Sequence, residues 1–297
     1  MKKKSIITNL EIFGTILFLS ASSYNICDEA IGSNMFHSTI EQEQNIDNLE
    51  DYVLQGLCKV DDKYILSAYD SSHNNESILY ILDDDLNSYI KKRLNTFSHV
   101  GGVTYDPDHE IIWVTDVEGT ITGYDKSEIF IYGGLVNSKY SNIYVGDGLD
   151  NIFGECSAAY ITYYDNKLYV GNFNFKNNTI IKEYDVLDNG MIDTDKYREI
   201  KAAGFIQGIT FYEDDNNKKY LIVSSSFGKH FDSTLRIFEF DTMKLVKEIK
   251  TREMMEEIIV DDDKLITVYE SNAKIYKKKN KGTDIIISNM NKILTNE

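Results

Sequence analysis

Three features of this 297-residue sequence predict an all-β fold, and within that class a five-bladed β-propeller. A self-similar unit recurs about every fifty residues, the period of propeller blades. Short β-branched and aromatic runs alternate with Asp, Asn and Gly turns, the pattern of hairpin-connected antiparallel strands. Long helical periodicity is missing, and the single proline, Pro107, sits in a turn, so folds that alternate strands with helices are disfavoured.

The unit is clearest in two copies. Gln55-Gly56-Leu57-Cys58-Lys59-Val60, a turn at Asp61-Asp62, and Lys63-Tyr64-Ile65-Leu66-Ser67 match Gln207-Gly208-Ile209-Thr210-Phe211, a longer acidic turn, and Tyr220-Leu221-Ile222-Val223-Ser224. Weaker copies begin at Gly101, Ala159 and Glu256, which gives five equivalent positions separated by 46, 58, 48 and 49 residues. The fourth unit shows four runs, Ile209 to Tyr212, Tyr220 to Ser224, Thr234 to Phe240 and Leu245 to Ile249, and four strands make a blade. Six blades is the fallback count, and its extra unit would have to come from residues 28 to 52 or 130 to 154. A short helix is expected around Gln42 to Tyr52. An open blade edge exposes unpaired backbone groups, so the ring must close. Two segments compete for the outer strand of the fifth blade, Ile285-Ile286-Ile287 and a strand within residues 34 to 52.

The length allows one large β domain or two ordinary ones, and the repeat selects one propeller over residues 51–297, preceded by an extension over 28–50. Residues 1–27 read as an export segment: Met1-Lys2-Lys3-Lys4, the apolar run Ile12 to Leu19, then the small residues Ser20-Ala21-Ser22-Ser23. The apolar run is short for a membrane span and Glu11 lies at its edge. A secreted or cell-surface protein with no transmembrane domain after processing is therefore expected, and a monomer. Cys27 lacks the small residue expected just ahead of a lipid-modified cysteine.

The net charge of −17, from 48 acidic and 31 basic residues, repels phosphate backbones and anionic headgroups and argues against a nucleic-acid partner. The one basic run, Lys277 to Lys281, reads as a solvated strand end. Cys27, Cys58 and Cys156 have no spacing that makes a metal knuckle or redox pair. Cys58 and Cys156 fall on or beside inner strands, where a thiol acts as a small hydrophobe.

In a propeller the innermost strands line the axis, so equivalent positions of different blades meet there. That logic gathers Gln55, Gln207 and Glu256, with Glu257 adjacent; His99 and Ser157 each lie two residues before an equivalent position, on the same side of their strands, and Glu155 lies two further out. His99 with Glu256 or Glu257 is the candidate proton-transfer pair, because imidazole titrates near neutrality and a neighbouring carboxylate tunes it. The bland alternative is the ordinary polarity of a water-filled channel. The turns after the second strands make another set: Asp70, Ser71 and His73; Asp116 and Glu118; Asn172 and Asn174; Ser225, Lys229 and His230; and Glu270. Among these, His73, His230 and Glu270 are candidate ligand contacts. Asp116 and Glu118 are candidate ligands for calcium, which suits carboxylates in the absence of zinc-type spacing. Any polar hairpin turn contains such residues too. The segment Asp185 to Lys196 imitates a calcium loop with Gly190 at its sixth position, but Leu187 and Lys196 stand where acids are needed, so it reads as a strand connection.

Gln207-Gly208-Ile209, Ser224 to Gly228, Glu256-Glu257-Ile258 and Tyr269 to Ala273 together resemble a group of secreted bacterial propeller-like proteins, a likeness that implies the fold and brings no activity. More distantly, Gln55-Gly56-Leu57 opening a blade resembles the plant-type glutaminyl cyclases, which implies a five-bladed propeller with an axial active site. That family's pattern has an acidic residue opening the second blade and tryptophans around the site. Here Val100-Gly101-Gly102 stands at the first place, and Trp113 is the one tryptophan.

The expected function is binding of a small polar ligand or a cation at the axial opening. The competing expectations are a secreted hydrolase or cyclase using an axial His/Glu pair, and a surface for contact with extracellular protein or glycan. Fold class cannot choose among them.

Overall fold

The computed structural model describes residues 36–47, 49, 51–86, 88–116, 119–131, 135–145, 158–174, 179–202, 204–276 and 282–295. Twenty strands among them form five four-stranded antiparallel sheets. Blade one is β2 (Tyr52–Val60), β3 (Lys63–Asp70), β4 (Ile78–Asp83) and β5 (Tyr89–Arg93). Blade two is β6 (Val103–Asp106), β7 (Ile111–Thr115), β8 (Thr120–Asp125) and β9 (Tyr140–Tyr144). Blade three is β10 (Tyr160–Tyr164), β11 (Lys167–Gly171), β12 (Thr179–Val186) and β13 (Ile192–Ala202). Blade four is β14 (Ile206–Glu213), β15 (Lys219–Ser225), β16 (Ser233–Glu239) and β17 (Lys244–Thr251). The fifth is β18 (Met255–Asp261), β19 (Lys264–Tyr269), β20 (Ile285–Asn289) and, outermost, β1 (Ile40–Gln44). Each innermost strand packs against the innermost strands of both neighbours, and β18 meets β2, so the ring is closed. The fold is the five-bladed propeller that the repeat predicts.

Closure settles the competition for the fifth blade. Ile285–Asn289 is its third strand, and β1 pairs antiparallel with it, Gln42 opposite Ile287 and Gln44 opposite Ile285. The N-terminal side of the chain therefore locks onto its C-terminal side. The helix expected around Gln42 to Tyr52 is not formed. Residues 40–44 satisfy the backbone edge of β20, and the Asp284 carboxylate accepts the Ile46 amide at 2.8 Å, which bends the chain towards β2.

Five hydrophobic clusters fill the spaces between neighbouring blades. Strand residues alternate between them: Ile65 packs towards blade two and Leu66 towards blade five, both fully buried. Second strands are buried on both faces and so read as unbroken apolar runs, Tyr64-Ile65-Leu66 and Leu221-Ile222-Val223. Each such side chain contributes about 1.5–3 kcal/mol.

In blades one, three and five the turn between first and second strands is a two-residue hairpin, and in blade three Asp165 and Asn166 both take positive φ (53° and 57°), the geometry that Asp and Asn tolerate best. These acidic corners also join blades, since Asp61 takes Lys126 at 3.0 Å, Asp108 takes the Tyr163 hydroxyl at 2.6 Å and Asp261 takes Lys59 at 2.6 Å. Short helices α1 (Lys126–Phe130) and α2 (Met290–Thr295) pack beside the blades through the buried Ile129, Met290 and Ile293. No helix among the described residues is long and apolar enough to cross a membrane.

Candidate functional site

Three of the five innermost strands begin with a β-bulge. The register slips between Leu54 and Leu57 in β2, between Ile206 and Gly208 in β14, and between Met255 and Ile258 in β18. The residues in those slips are Gln55, Gln207 and the Glu256–Glu257 pair, and a bulge re-aims the side chain it carries. The glycine after each glutamine is required by the neighbouring blade. A Cβ on Gly56 would stand 2.6 Å from the Val103 amide nitrogen, and one on Gly208 would stand 2.1 Å from the Glu257 carboxyl.

Strand-two hydroxyls tie down the starts of the innermost strands. Ser67 Oγ accepts the Gly56 amide at 2.8 Å and donates to the Val100 carbonyl of the next blade at 2.7 Å. Ser224 Oγ donates to the Glu256 carbonyl at 2.6 Å, tying blade four to blade five, and Thr115 Oγ1 accepts the Gly102 amide at 2.8 Å. These serines close the repeated apolar runs in the sequence, where only their position in the repeat marks them.

The two sequence-predicted sets converge. Glu270, from the turn set, lies against the axial residues: its carboxylate accepts from Gln55 Nε2 at 3.4 Å, from the Tyr276 hydroxyl at 2.8 Å, and from Glu256. Glu256 is buried and its Oε1 accepts from Gln207 Nε2 at 3.4 Å. Burial, then the Glu270 and Glu257 charges, raise the Glu256 carboxyl well above the carboxylate range. Burial raises Glu270 too, against the hydrogen bonds of Tyr276, Gln55 and Glu256, which favour its charged form. The consistent assignment is a protonated Glu256 donating to an ionised Glu270. Tyr276 in turn hydrogen-bonds Tyr69, whose hydroxyl is pushed up by burial and by the charge of Glu270.

His99 stacks on Tyr69 with ring centroids 4.0 Å apart, and His73 stacks on the same tyrosine at 5.8 Å. His99 is exposed, with neighbouring protein close around its ring. The surrounding protein and then the nearby His73 lower its pKa, so it is neutral at neutral pH. No hydrogen bond joins His99 to Glu256 or Glu257 among the described residues. Its link to the carboxyl pair runs through Tyr69 and Tyr276.

Glu257 turns inward instead. It is 1% exposed, one oxygen accepts the Ile258 amide at 3.1 Å, and burial raises its pKa well above the ordinary range. His230 is exposed on a short 3-10 turn, Gly228–His230, apart from this network. Asp116 is buried and receives the Thr96 and Thr122 hydroxyls at 2.6 and 3.2 Å. Among the described residues no three His, Cys, Asp or Glu side chains gather as a metal set. Glu118, Ser157, Glu155, Cys27, Cys156 and the export segment lie outside the described residues. Sequence reasoning did not single out Tyr69, at the end of a strand, or Tyr276, in a 3-10 turn, because an aromatic in either place looks like any core residue.

No family model matches the chain, and no curated protein matches it. Solved structures do. Glutaminyl cyclase of Myxococcus xanthus aligns with a TM-score of 0.52 at 10% identity, covering 84% of this chain and 96% of that one. The PQQ-bound aldose sugar dehydrogenase of Streptomyces coelicolor aligns with a TM-score of 0.50 at 10% identity, covering 84% and 97%. At this identity the likeness is one of fold, and the chain shares the propeller architecture of both.

Proposed function

We propose that the protein is an exported propeller that binds a small, positively charged polar ligand, an amine or a calcium ion, at its axial funnel. The observation that carries this reading is the carboxyl pair of buried Glu256 and half-buried Glu270, both raised by burial, which accepts from Gln55, Gln207 and Tyr276. A cation that displaces the proton would meet two carboxylates held by bulges of three blades. The net charge of −17 favours the approach of cations. His99 and His73, stacked on Tyr69, provide a flat wall for the uncharged part of the ligand. A thermal-shift screen with calcium chloride and a series of primary amines tests this, since a ligand of the native state raises the melting temperature by mass action. Stabilisation by one of them, lost in Glu256→Gln and Glu270→Gln, supports the reading; no response to any of them refutes it.

One feature favours a second reading, a secreted hydrolase or cyclase. A carboxyl pair raised towards neutrality is suited to give and take a proton at physiological pH. On this reading Glu256 and Glu270 carry the acid–base role, and His99 lines the pocket. Incubation with glutaminyl peptides, followed by a search for cyclised product in the wild type and in Glu256→Gln, tests the cyclase form.

A further inference from the structure

We propose a second ligand site, independent of the axis: the rim pocket of blade four binds a neutral sugar ring. The pocket holds about 360 Å³ and is lined by Phe205, Ser225, Phe227, Asp232, Thr234 and Arg236 among others. That is enough for one pyranose with part of a second.

Its apolar wall is unusual for a surface. Phe205 and Phe227 pack with centroids 5.1 Å apart and rings tilted by 54°, and Phe227 continues to Phe231 at 5.8 Å. Phe227 and Phe231 remain 40% and 44% exposed, although burial of either ring would be favourable. The backbone fixes the wall. Phe205 takes a left-handed φ of 61° with its amide bonded to the Asn174 carbonyl at 2.9 Å and its carbonyl accepting the Ser226 amide at 3.0 Å. The matching position of blade five, Met254, has the same left-handed backbone and the same bond from Glu270, but its side chain is 1% exposed. The conformation is thus a device of the blade start, and a half-buried aromatic ring is what blade four adds to it.

The polar wall selects against charge. Arg236 donates through Nε to Glu248 at 2.6 Å and through one Nη to Ser225 at 3.1 Å, so its charge is balanced and its orientation fixed. Its other N–H groups and the exposed Asp232 carboxylate have no partner among the described residues. An anion would meet Asp232 and Glu248, and a cation would meet Arg236. A neutral polyol satisfies both, with hydroxyls donating to Asp232 and accepting from Arg236 while its C–H face lies on the phenylalanines.

The test is a titration of the whole protein, followed by NMR or calorimetry, with neutral hexoses and with a neutral oligosaccharide. Saturable binding that weakens at least tenfold in both Phe227→Ala and Asp232→Asn, and is retained in Glu256→Gln, is the expected result. Both substituted side chains are exposed, and an unchanged melting temperature confirms that the variants fold. Comparable affinity for a hexose identifies free sugar as the source, and affinity for the oligosaccharide alone identifies a glycan chain. No saturable binding up to the solubility limit, or binding that both variants leave intact, overturns the proposal.

Discussion

Glu256 faces Glu270 within hydrogen-bond reach in blade five, and burial raises both carboxyls above the ordinary range, which favours a protonated Glu256 as the donor to Glu270. Glu256 lies in the first strand of blade five and Glu270 just after the second, and Gln55 and Gln207 from blades one and four donate to Glu270 and Glu256 respectively. Most of the expected behaviour of the protein follows from this pair and from the bulges that place it.

Stability should depend on pH in an uncommon direction. Glu256, Glu257, Glu270 and Asp284 all have folded values above the unfolded ones, Asp284 about 6 against 3.8. The folded state therefore binds more protons, and stability declines as pH rises from the ordinary carboxylate range through the raised values. Asp70 works oppositely. Burial raises its pKa, but bonds from Ser72, Asn74 and Asn75 outweigh this and lower it, so its contribution is lost only as pH falls below the ordinary value of 3.8. The melting temperature is expected to rise as pH is lowered from about 8 to about 5 and to fall again below about 4.

Glu256→Gln keeps the shape of the side chain and supplies a permanent N–H donor to Glu270. It should raise stability at alkaline pH by about 1–3 kcal/mol and flatten the upper arm of the pH profile. Chemical denaturation at two pH values measures both effects. Destabilisation of the variant at both would remove the shared proton from the account.

Ser67→Ala leaves the Gly56 amide and the Val100 carbonyl without their buried partner, and a loss of about 2–3 kcal/mol is expected. Gly208→Ala forces a Cβ into the Glu257 carboxyl and backbone and should cost at least as much. Denaturant unfolding of the two variants checks this.

Deleting residues 36–44 removes the outer strand of blade five and exposes the edge of β20. A lower melting temperature and aggregation through the open edge are expected, read by calorimetry and light scattering. Restoration of the stability by the separately added segment would show that pairing is the cause.

The blades were legible because each repeats a physical constraint. Gln55-Gly56 and Gln207-Gly208 mark bulges, and the glycines mark the close approach of the next blade. Equivalent positions therefore led to the axial residues directly. The pairing of Glu256 with Glu270 was not legible, since Glu270 follows a second strand and the bulge between Met255 and Ile258, which sets the hairpin register beside it, leaves no local pattern in the sequence. Tyr276 belongs to a 3-10 turn, Lys274–Tyr276, that no local pattern announces. The extension at residues 40–44 was ambiguous for a related reason. Its sequence, Ile-Glu-Gln-Glu-Gln, suits a helix as well as an edge strand, and only the open edge of Ile285–Asn289, some 240 positions along the chain, selects the strand.

The most direct measurement is isothermal titration of the wild-type protein with calcium and with a primary amine near neutral pH, repeated in buffers of different ionisation enthalpy. A cation that replaces the shared proton should release about one proton per site, and both the binding and the release should vanish in Glu256→Gln combined with Glu270→Gln. Binding with no proton release, or binding that survives in the double variant, would contradict the axial carboxyl pair as the site.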